Sequence, residues 1–347
     1  MVTYVIIIII IALLFDFANG LNDAANSIAT VVATRVLSPR LAVLWAAFFN
    51  FVAAFGFETH VATTISKDLI NPQFMEPNLI MAALLSAIIW TVACTNFGLP
   101  ISVSHSLIGS LAGAAIVKAG TAAVIWSKVG FVAMFIVLSP IIGLILGTVL
   151  MNISMALAQK HRPRSVDRVF RVLQLVSAAI YSLSHGLNDA QKTMGIISAL
   201  LLSVPSMAYM ATHSGDPADT HLAWWIILSC HAAIALGTYI GGWKVVHTLG
   251  HKVTKLQPIG GFCAETGGGA TILVLSQFGI PVSTTHTITG AIFGVGMTHR
   301  FSAVRWGVGS KIITAWVLTL PAAAMLAAIL YFLISHLIPL APAQPAV

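Results

Sequence analysis

Apolar residues fill this chain in long runs, at 2–15, 41–57, 79–94, 129–151, 172–183, 222–239 and 312–337, with a shorter one at 271–275 and its flanks. The polar positions between them gather in short phrases, and two of these occur twice. Gly20-Leu21-Asn22-Asp23-Ala24 returns as Gly186-Leu187-Asn188-Asp189-Ala190. Phe97-Gly98-Leu99-Pro100-Ile101-Ser102-Val103-Ser104-His105 returns as Phe278-Gly279-Ile280-Pro281-Val282-Ser283-Thr284-Thr285-His286. The order is the same in both halves. The chain therefore reads as two copies of one unit, over 1–158 and 172–338, with a link at 159–171 and a short tail at 339–347.

A full membrane span needs about 20 apolar residues. Several of these runs are shorter or interrupted, so the two copies predict roughly ten to twelve helical membrane segments, some of them half-spans. The alternation of a membrane β-barrel is absent. Only 8% of residues are charged, 58% are hydrophobic and mean hydropathy is +0.95, against roughly 25% charged in soluble domains. The predicted fold class is an all-α integral membrane protein. Residues 2–15 could pass for a signal peptide, but they lack a basic start, and cleavage near Gly20 would cut into the first repeated phrase. They are read as the first membrane helix. Cys94, Cys230 and Cys263 lie in apolar segments without paired or metal-ligand spacing, as small core residues do.

The net charge of +7 would suggest nucleic acid in a soluble protein; in a membrane protein it sets orientation instead. The densest basic stretch, Lys160, Arg162, Arg164, Arg168 and Arg171, lies in the link. With the link in the cytoplasm, Arg35, Arg40, Lys244, Lys252, Lys255, Arg300 and Arg305 also fall inside. Lys67, Lys118 and Lys128 fall outside, while Lys192 and Lys311 stay within the membrane. Both termini are then outside, and the copies are inserted upside down relative to each other. This is the inverted-repeat plan of secondary transporters, placed in a plasma membrane of the bacterial inner type.

Each copy is predicted to be broken at both phrases. Asn and Asp are good N-caps, so fresh half-helices are expected near Asn22 and Asn188. In Gly-x-Pro-x-Ser the glycine permits positive φ and the proline removes a donor, with Ser104 and Thr285 expected to cap the next half-helix in each copy. The arms 78–97 and 104–118, and 258–278 and 285–298, are read as re-entrant hairpins. Irregular backbone at membrane depth is tolerated where it is buried in protein or lines a wet cavity. Four half-helix N-termini would then converge near the midplane as an anion site.

Around that focus stand Ser102, Ser104, Ser106, Ser283, Thr284, Thr285 and Thr287, with Asn22, Asn26, Asn188 and Gln191. Hydroxyls, amides and backbone N–H groups are donors that suit a tetrahedral oxyanion. Asp23 and Asp189 would repel an anion unless a cation comes too. Charges at membrane depth cost roughly 2.5–3.5 kcal/mol each even on the mildest scale, which favours function over a cap that Ser could supply. The competing structural readings are helix-end or interhelical bonding for the hydroxyls and N-caps for the carboxylates. His105 and His286 are candidates for proton relays or metal ligands, but read as cap-adjacent structural histidines, since no second ligand stands at metal spacing, and no metal site is firmly assigned.

Gly20-Leu21-Asn22-Asp23-Ala24-Ala25-Asn26 and Pro281-Val282-Ser283-Thr284-Thr285-His286 resemble the signatures of the inorganic phosphate transporter (PiT) family. The similarity covers nearly the whole chain, including 59–72 and 242–265, which look like the family's linking segments. The resemblance implies symport of phosphate with Na⁺ or H⁺, inverted repeats, a homodimer and no cofactor. One position departs from the pattern. The signature ends in Asn26 in the first copy, but its counterpart is Lys192. In the family that Asn belongs to the cation-binding neighbourhood, so an ammonium there would occupy the place of a bound cation beside Asp189. A Lys can shuttle a proton where Na⁺ cannot bind, or serve as a fixed counter-ion. The expectation is coupling mainly to H⁺, with any Na⁺ confined to the first copy near Asp23 and Asn26.

Glu58 and Glu265 stand in corresponding linking segments, though not in strict register, and Glu265 is held as a secondary proton-pathway candidate or a helix–helix hydrogen bond. Gly143-x-x-x-Gly147 and Gly290-x-x-x-Gly294 permit close helix contact, in a dimer or within the chain. The nearest competing function is the same machine carrying sulfate or another oxyanion. A membrane-embedded enzyme is weakened by the lack of nucleotide motifs or clustered metal ligands. A passive channel is weakened by the inverted, carboxylate-bearing repeat.

Overall fold

The computed structural model describes residues 1–56, 60–67, 69–216, 219 and 221–339. Among the described residues it is almost wholly helical, with strand pairing limited to the isolated bridges Ile70–Val124 and Thr212–Leu222. Six helices carry the first half: α1 Val2–Ala33, α2 Pro39–Val52, α3 His60–Lys67, α4 Pro77–Phe97, α5 Val103–Ala119 and α6 Trp126–Ala158. Six more carry the second: α7 Pro163–Leu202, α8 Trp224–Ile240, α9 Trp243–His247, α10 Pro258–Gln277, α11 Thr284–His299 and α12 Trp306–Leu337. Glu58 lies outside the described residues.

Helices α1, α4, α6, α10 and α12 are long and apolar enough to cross a membrane, and a sixth span results if α8 and Trp243–Lys252, bent by 62°, count as one. On α6 the exposed positions Val137, Ile141, Ile145, Val149 and Ile153 recur every fourth residue, while Ser139, Gly143, Gly147 and Ser154 are buried. A helix apolar all round, with its few small and polar residues turned inward, suits lipid rather than water on its outer face.

The halves interlock. α6 packs on the hairpin helix α11 of the second half, and α12 packs on α5 of the first. Each long helix thus braces the other half's hairpin. The two glycine pairs make the α6–α11 contact: Gly143 and Gly147 lie against the carbonyls of Thr287 and Ala291, and Gly290 and Gly294 against those of Pro140 and Leu144. A Cβ at Gly290 would stand 2.0 Å from the Pro140 oxygen. These motifs therefore build the chain's own core.

Helix breaks occur at one phrase and not at the other. α1 and α7 run unbroken through both Gly-Leu-Asn-Asp-Ala phrases, contrary to the expected half-helices near Asn22 and Asn188. No proline interrupts the hydrogen-bond ladder there, and the glycines serve close packing. A Cβ on Gly20 would stand 2.1 Å from the Ile234 carbonyl oxygen on α8, and one on Gly186 2.7 Å from that of Asn50 on α2. At the second phrase the breaks are as expected, with Gly98 at φ 68° and Gly279 at φ 67°, conformations that glycine adopts without a Cβ clash. Pro100 and Pro281 follow within each connection. Two helix N-termini converge rather than four.

Candidate functional site

The two N-termini belong to α5 and α11. Their caps are Ser102 and Ser283, whose hydroxyls accept from the backbone N–H of His105 at 3.3 Å and of His286 at 3.2 Å. Ser104 and Thr285, expected as caps, stand one step inside the helices, because the extended residue that starts each helix is the serine after the proline. Each cap satisfies one of the free first-turn donors and leaves those of Val103, Ser104, Thr284 and Thr285 outside the helical ladder. The tips abut: the His105 and His286 rings are 4.9 Å apart, and His286 stacks on Trp316 at 3.8 Å. Trp316 in turn donates to the Pro100 carbonyl at 2.9 Å. Both histidine rings are buried at this junction, and the ring nitrogens of each have no hydrogen-bond partner among the described residues.

Beside the α11 tip sits a buried ionic cluster. Thr284 donates toward Asp189 at 3.1 Å and Asp23 at 3.3 Å, and Thr285 donates to Asp23 at 3.1 Å. The Asn26 amide donates to Thr284 at 3.2 Å and Thr285 at 2.9 Å. Lys192 forms an ion pair with Asp189 and donates to the Val282 carbonyl at 3.2 Å. α1 and α7 thus bring their two Asp side chains together, and the hydroxyls of α11 bridge them. The first half lacks the equivalent bridge, since Val103 stands where the second has Thr284.

His185 completes the cluster, and the sequence reading does not single it out. Its Nε2 lies 3.1 Å from Asp189 and 3.8 Å from Asp23, and its Nδ1 lies 3.2 Å from the Asn50 side-chain oxygen. One ligand atom each from Asp23, His185 and Asp189 falls within 4.8 Å of the others. The signal is present in the chain: His185 precedes Asp189 by four residues, one turn away on a continuous helix. A break read at Gly186 hides it.

Asn22 and Asn188 occupy matching places. Asn22 donates to Thr95 on α4 and Asn188 to Ser276 on α10, each at 2.7 Å, and the side-chain oxygen of each has no partner. They tie the phrase-bearing helices to the first arm of each hairpin. Ser104 and Ser106 are buried at the α5 tip, and the Ser106 hydroxyl has no partner. Thr287, expected among the ligand donors, donates back to the Ser283 carbonyl at 2.9 Å. Gln191, also expected there, turns its oxygen to the backbone N–H groups of Val61 at 2.9 Å and Ala62 at 3.3 Å. The first turn of α3 needs such an acceptor. Gln191 also lines a cavity of about 620 Å³ together with Leu187, His60, His213, His221 and His231.

Glu265 stands in a separate buried cluster. It accepts from Thr30 at 2.5 Å, from Gln174 at 3.1 Å and from Ser177, and Gln174 accepts from Thr34 at 2.9 Å. Counted from the prolines that open α4 and α10, its counterpart is Leu84. The carboxyl is therefore a feature of the second half alone, not the partner of Glu58.

The sequence profile of the phosphate transporter family matches residues 19–162 and again 152–327, once in each half. A probable low-affinity inorganic phosphate transporter of Rhizobium meliloti is 52% identical over 325 residues, covering 94% of this chain and 95% of that protein. A probable low-affinity inorganic phosphate transporter of Bacillus subtilis is 43% identical over 334 residues, covering 95% and 97%. A solved structure described as the sodium-dependent phosphate transporter superposes with a TM-score of 0.85 at 26% identity, covering 97% of this chain and 100% of that one. With the doubled signatures, the paired hairpin tips and these matches, the chain belongs to the phosphate transporter family, whose members are transporters and not enzymes.

Proposed function

We propose that this chain imports inorganic phosphate as a cation-coupled symporter, with phosphate held between the α5 and α11 tips and the Asp23–Asp189 pair. The observation that carries this reading is the meeting of two capped helix N-termini beside two buried carboxylates bridged by Thr284. Helix N-termini with neutral hydroxyls suit an oxyanion. Hydrogen phosphate can also donate to a carboxylate, which sulfate cannot do at neutral pH. That difference favours phosphate over the runner-up.

The carboxylates need a cation to tolerate an anion. In the second half the Lys192 ammonium already fills that place at Asp189, so a free cation gains less there. Proton coupling through the Asp189, Lys192 and His185 group is the reading this supports, with any Na⁺ bound by residues of the first copy. Inverted repeats over 1–158 and 172–338 rocking against one another would expose the site to each side in turn. The cavity beside Gln191 and Leu187 is a natural mouth for one of those states. The protein would work as a homodimer in a bacterial inner membrane, with both termini outside.

Uptake of radiolabelled phosphate by proteoliposomes in a hundredfold excess of sulfate tests the substrate. The expected result is nearly unchanged uptake, whereas strong competition would transfer the reading to a broader oxyanion symporter.

A further inference from the structure

The 159–171 link joins two rows of exposed residues. On α7, Arg164, Arg168, Val172, Val176 and Ile180 recur every fourth residue and all are exposed, so one row passes from two cations to three apolar side chains. On α6, Ile145, Val149, Ile153 and Leu157 form a similar exposed row that runs into the link. Between the two helices lies a crevice of about 290 Å³, whose lining includes Leu157, Val166, Val169 and Phe170 together with His161 and Ser165. A row that is apolar along its length and basic at its end marks the level of lipid headgroups.

Lys160 and Arg162 in the link and Arg164 and Arg168 on the first turns of α7 are exposed, and among the described residues their side chains have no hydrogen-bond or ion-pair partner. Between Glu76 and Asp189 the chain has one acidic residue, Asp167, and it pairs with Arg171 at 2.9 Å. Arg171 also donates to the Arg35 carbonyl at 2.9 Å, which ties it to the end of α1. Four unpaired cations beside a largely apolar crevice complement a ligand with an anionic head and a hydrocarbon tail. A zwitterionic lipid would bring its own ammonium among them. An anionic phospholipid brings its phosphate alone, and a cluster of basic residues at the end of a membrane helix attracts such lipids.

We propose that the α6–α7 crevice binds one anionic phospholipid, with an acyl chain along Leu157 and Val169 and the headgroup phosphate on Arg164 and Arg168, assisted by Lys160 and Arg162 of the link. α6 ends the first copy and α7 opens the second, so the lipid would sit where the two halves are joined. The site shares no residue with the Asp23–Asp189 cluster and stands apart from the phosphate reading.

Thermal melting of the purified full-length protein in detergent tests the site, in titrations with dioleoyl-phosphatidylglycerol, dioleoyl-phosphatidylcholine or soluble glycerol phosphate. A ligand that binds only the folded state raises Tm with its concentration. The wild type is expected to show a saturable rise specific to phosphatidylglycerol. Arg164→Gln combined with Arg168→Gln should need roughly tenfold more of that lipid, or beyond, for half the rise. Val169→Trp, which fills the crevice, should be weakened as much, and it carries the test if the arginine variant does not fold. Lys244→Gln combined with Lys252→Gln removes equal charge from a different crevice, beside Phe97 and Trp243, and should keep the wild-type response. No response in the wild type, or an equal one to phosphatidylcholine, would overturn the assignment. So would an equal loss in the lysine variant, since general attraction between charges would then suffice. A full response in Val169→Trp, or a glycerol phosphate response that disappears with the two arginines, would remove the acyl chain from the crevice and overturn it too. A second copy of the chain seated there would leave the wild type indifferent to phosphatidylglycerol and make Val169→Trp monomeric, again against the proposal.

Discussion

Asp189→Asn is expected to reduce gradient-driven phosphate uptake to the level of empty liposomes. Asp189 is the point where three elements of the site meet: it pairs with Lys192, faces His185 at 3.1 Å and accepts from Thr284 at 3.1 Å. An amide keeps the shape but removes the charge that orders all three. It also leaves the Lys192 ammonium buried without its counter-ion, and breaking a buried pair typically costs about 3–5 kcal/mol. The variant should therefore melt earlier as well as fail to transport. Adding Lys192→Asn removes the stranded charge, so the double variant should recover much of the lost stability and none of the uptake. Uptake assays and melting curves on both variants separate the two effects. Full uptake by the single variant would exclude Asp189 from the transport site.

Lys192→Asn alone is expected to change the driving ion. The substitution gives the second half the residue that the first half has at Asn26 and opens the place of the ammonium beside Asp189. Uptake should then acquire a component that follows an imposed Na⁺ gradient and should lose most of its response to a pH gradient. The comparison is made in one proteoliposome preparation with each gradient imposed separately. If the variant keeps the wild-type response to both, Lys192 is a structural counter-ion and the coupling proton lies elsewhere.

The parts of this molecule legible in the sequence are those governed by local backbone chemistry. Gly98-Leu99-Pro100 and Gly279-Ile280-Pro281 end and restart helices by φ restriction and a missing donor, effects that need no neighbour. The observed ends Phe97 and Gln277 lie within a residue of those expected. Gly20 and Gly186 look like breakers in isolation, but their role is set by the carbonyls of Ile234 and Asn50, far away in sequence. That is why the continuity of α1 and α7, and with it the place of His185, is not legible from the phrases alone. The pairing of Asp189 with Lys192 is visible because both lie on one helix face. The partners of Asn22, Asn188 and Glu265 are not, since Thr95, Ser276, Thr30, Gln174 and Ser177 lie outside the repeated phrases on other helices or other turns.

The two halves differ at the positions that bear charge. The two copies agree at the caps Ser102 and Ser283 and at the amides of Asn22 and Asn188, which make matching hydrogen bonds in each half. They differ at Asn26 against Lys192, Val103 against Thr284, Leu84 against Glu265 and Asp16 against Ser182. Every one of these differences places a charge or a hydroxyl on one side only. In the proposed transport cycle, the shared caps would serve the ligand in both states and the one-sided charges would serve the coupling ion.

Uptake of radiolabelled phosphate into proteoliposomes, with Na⁺ equal on both sides and an inward proton gradient imposed, tests proton-coupled phosphate import. The expected result is accumulation that a protonophore collapses and that an imposed Na⁺ gradient at equal pH does not replace. Accumulation that follows the Na⁺ gradient and ignores the pH gradient would contradict it.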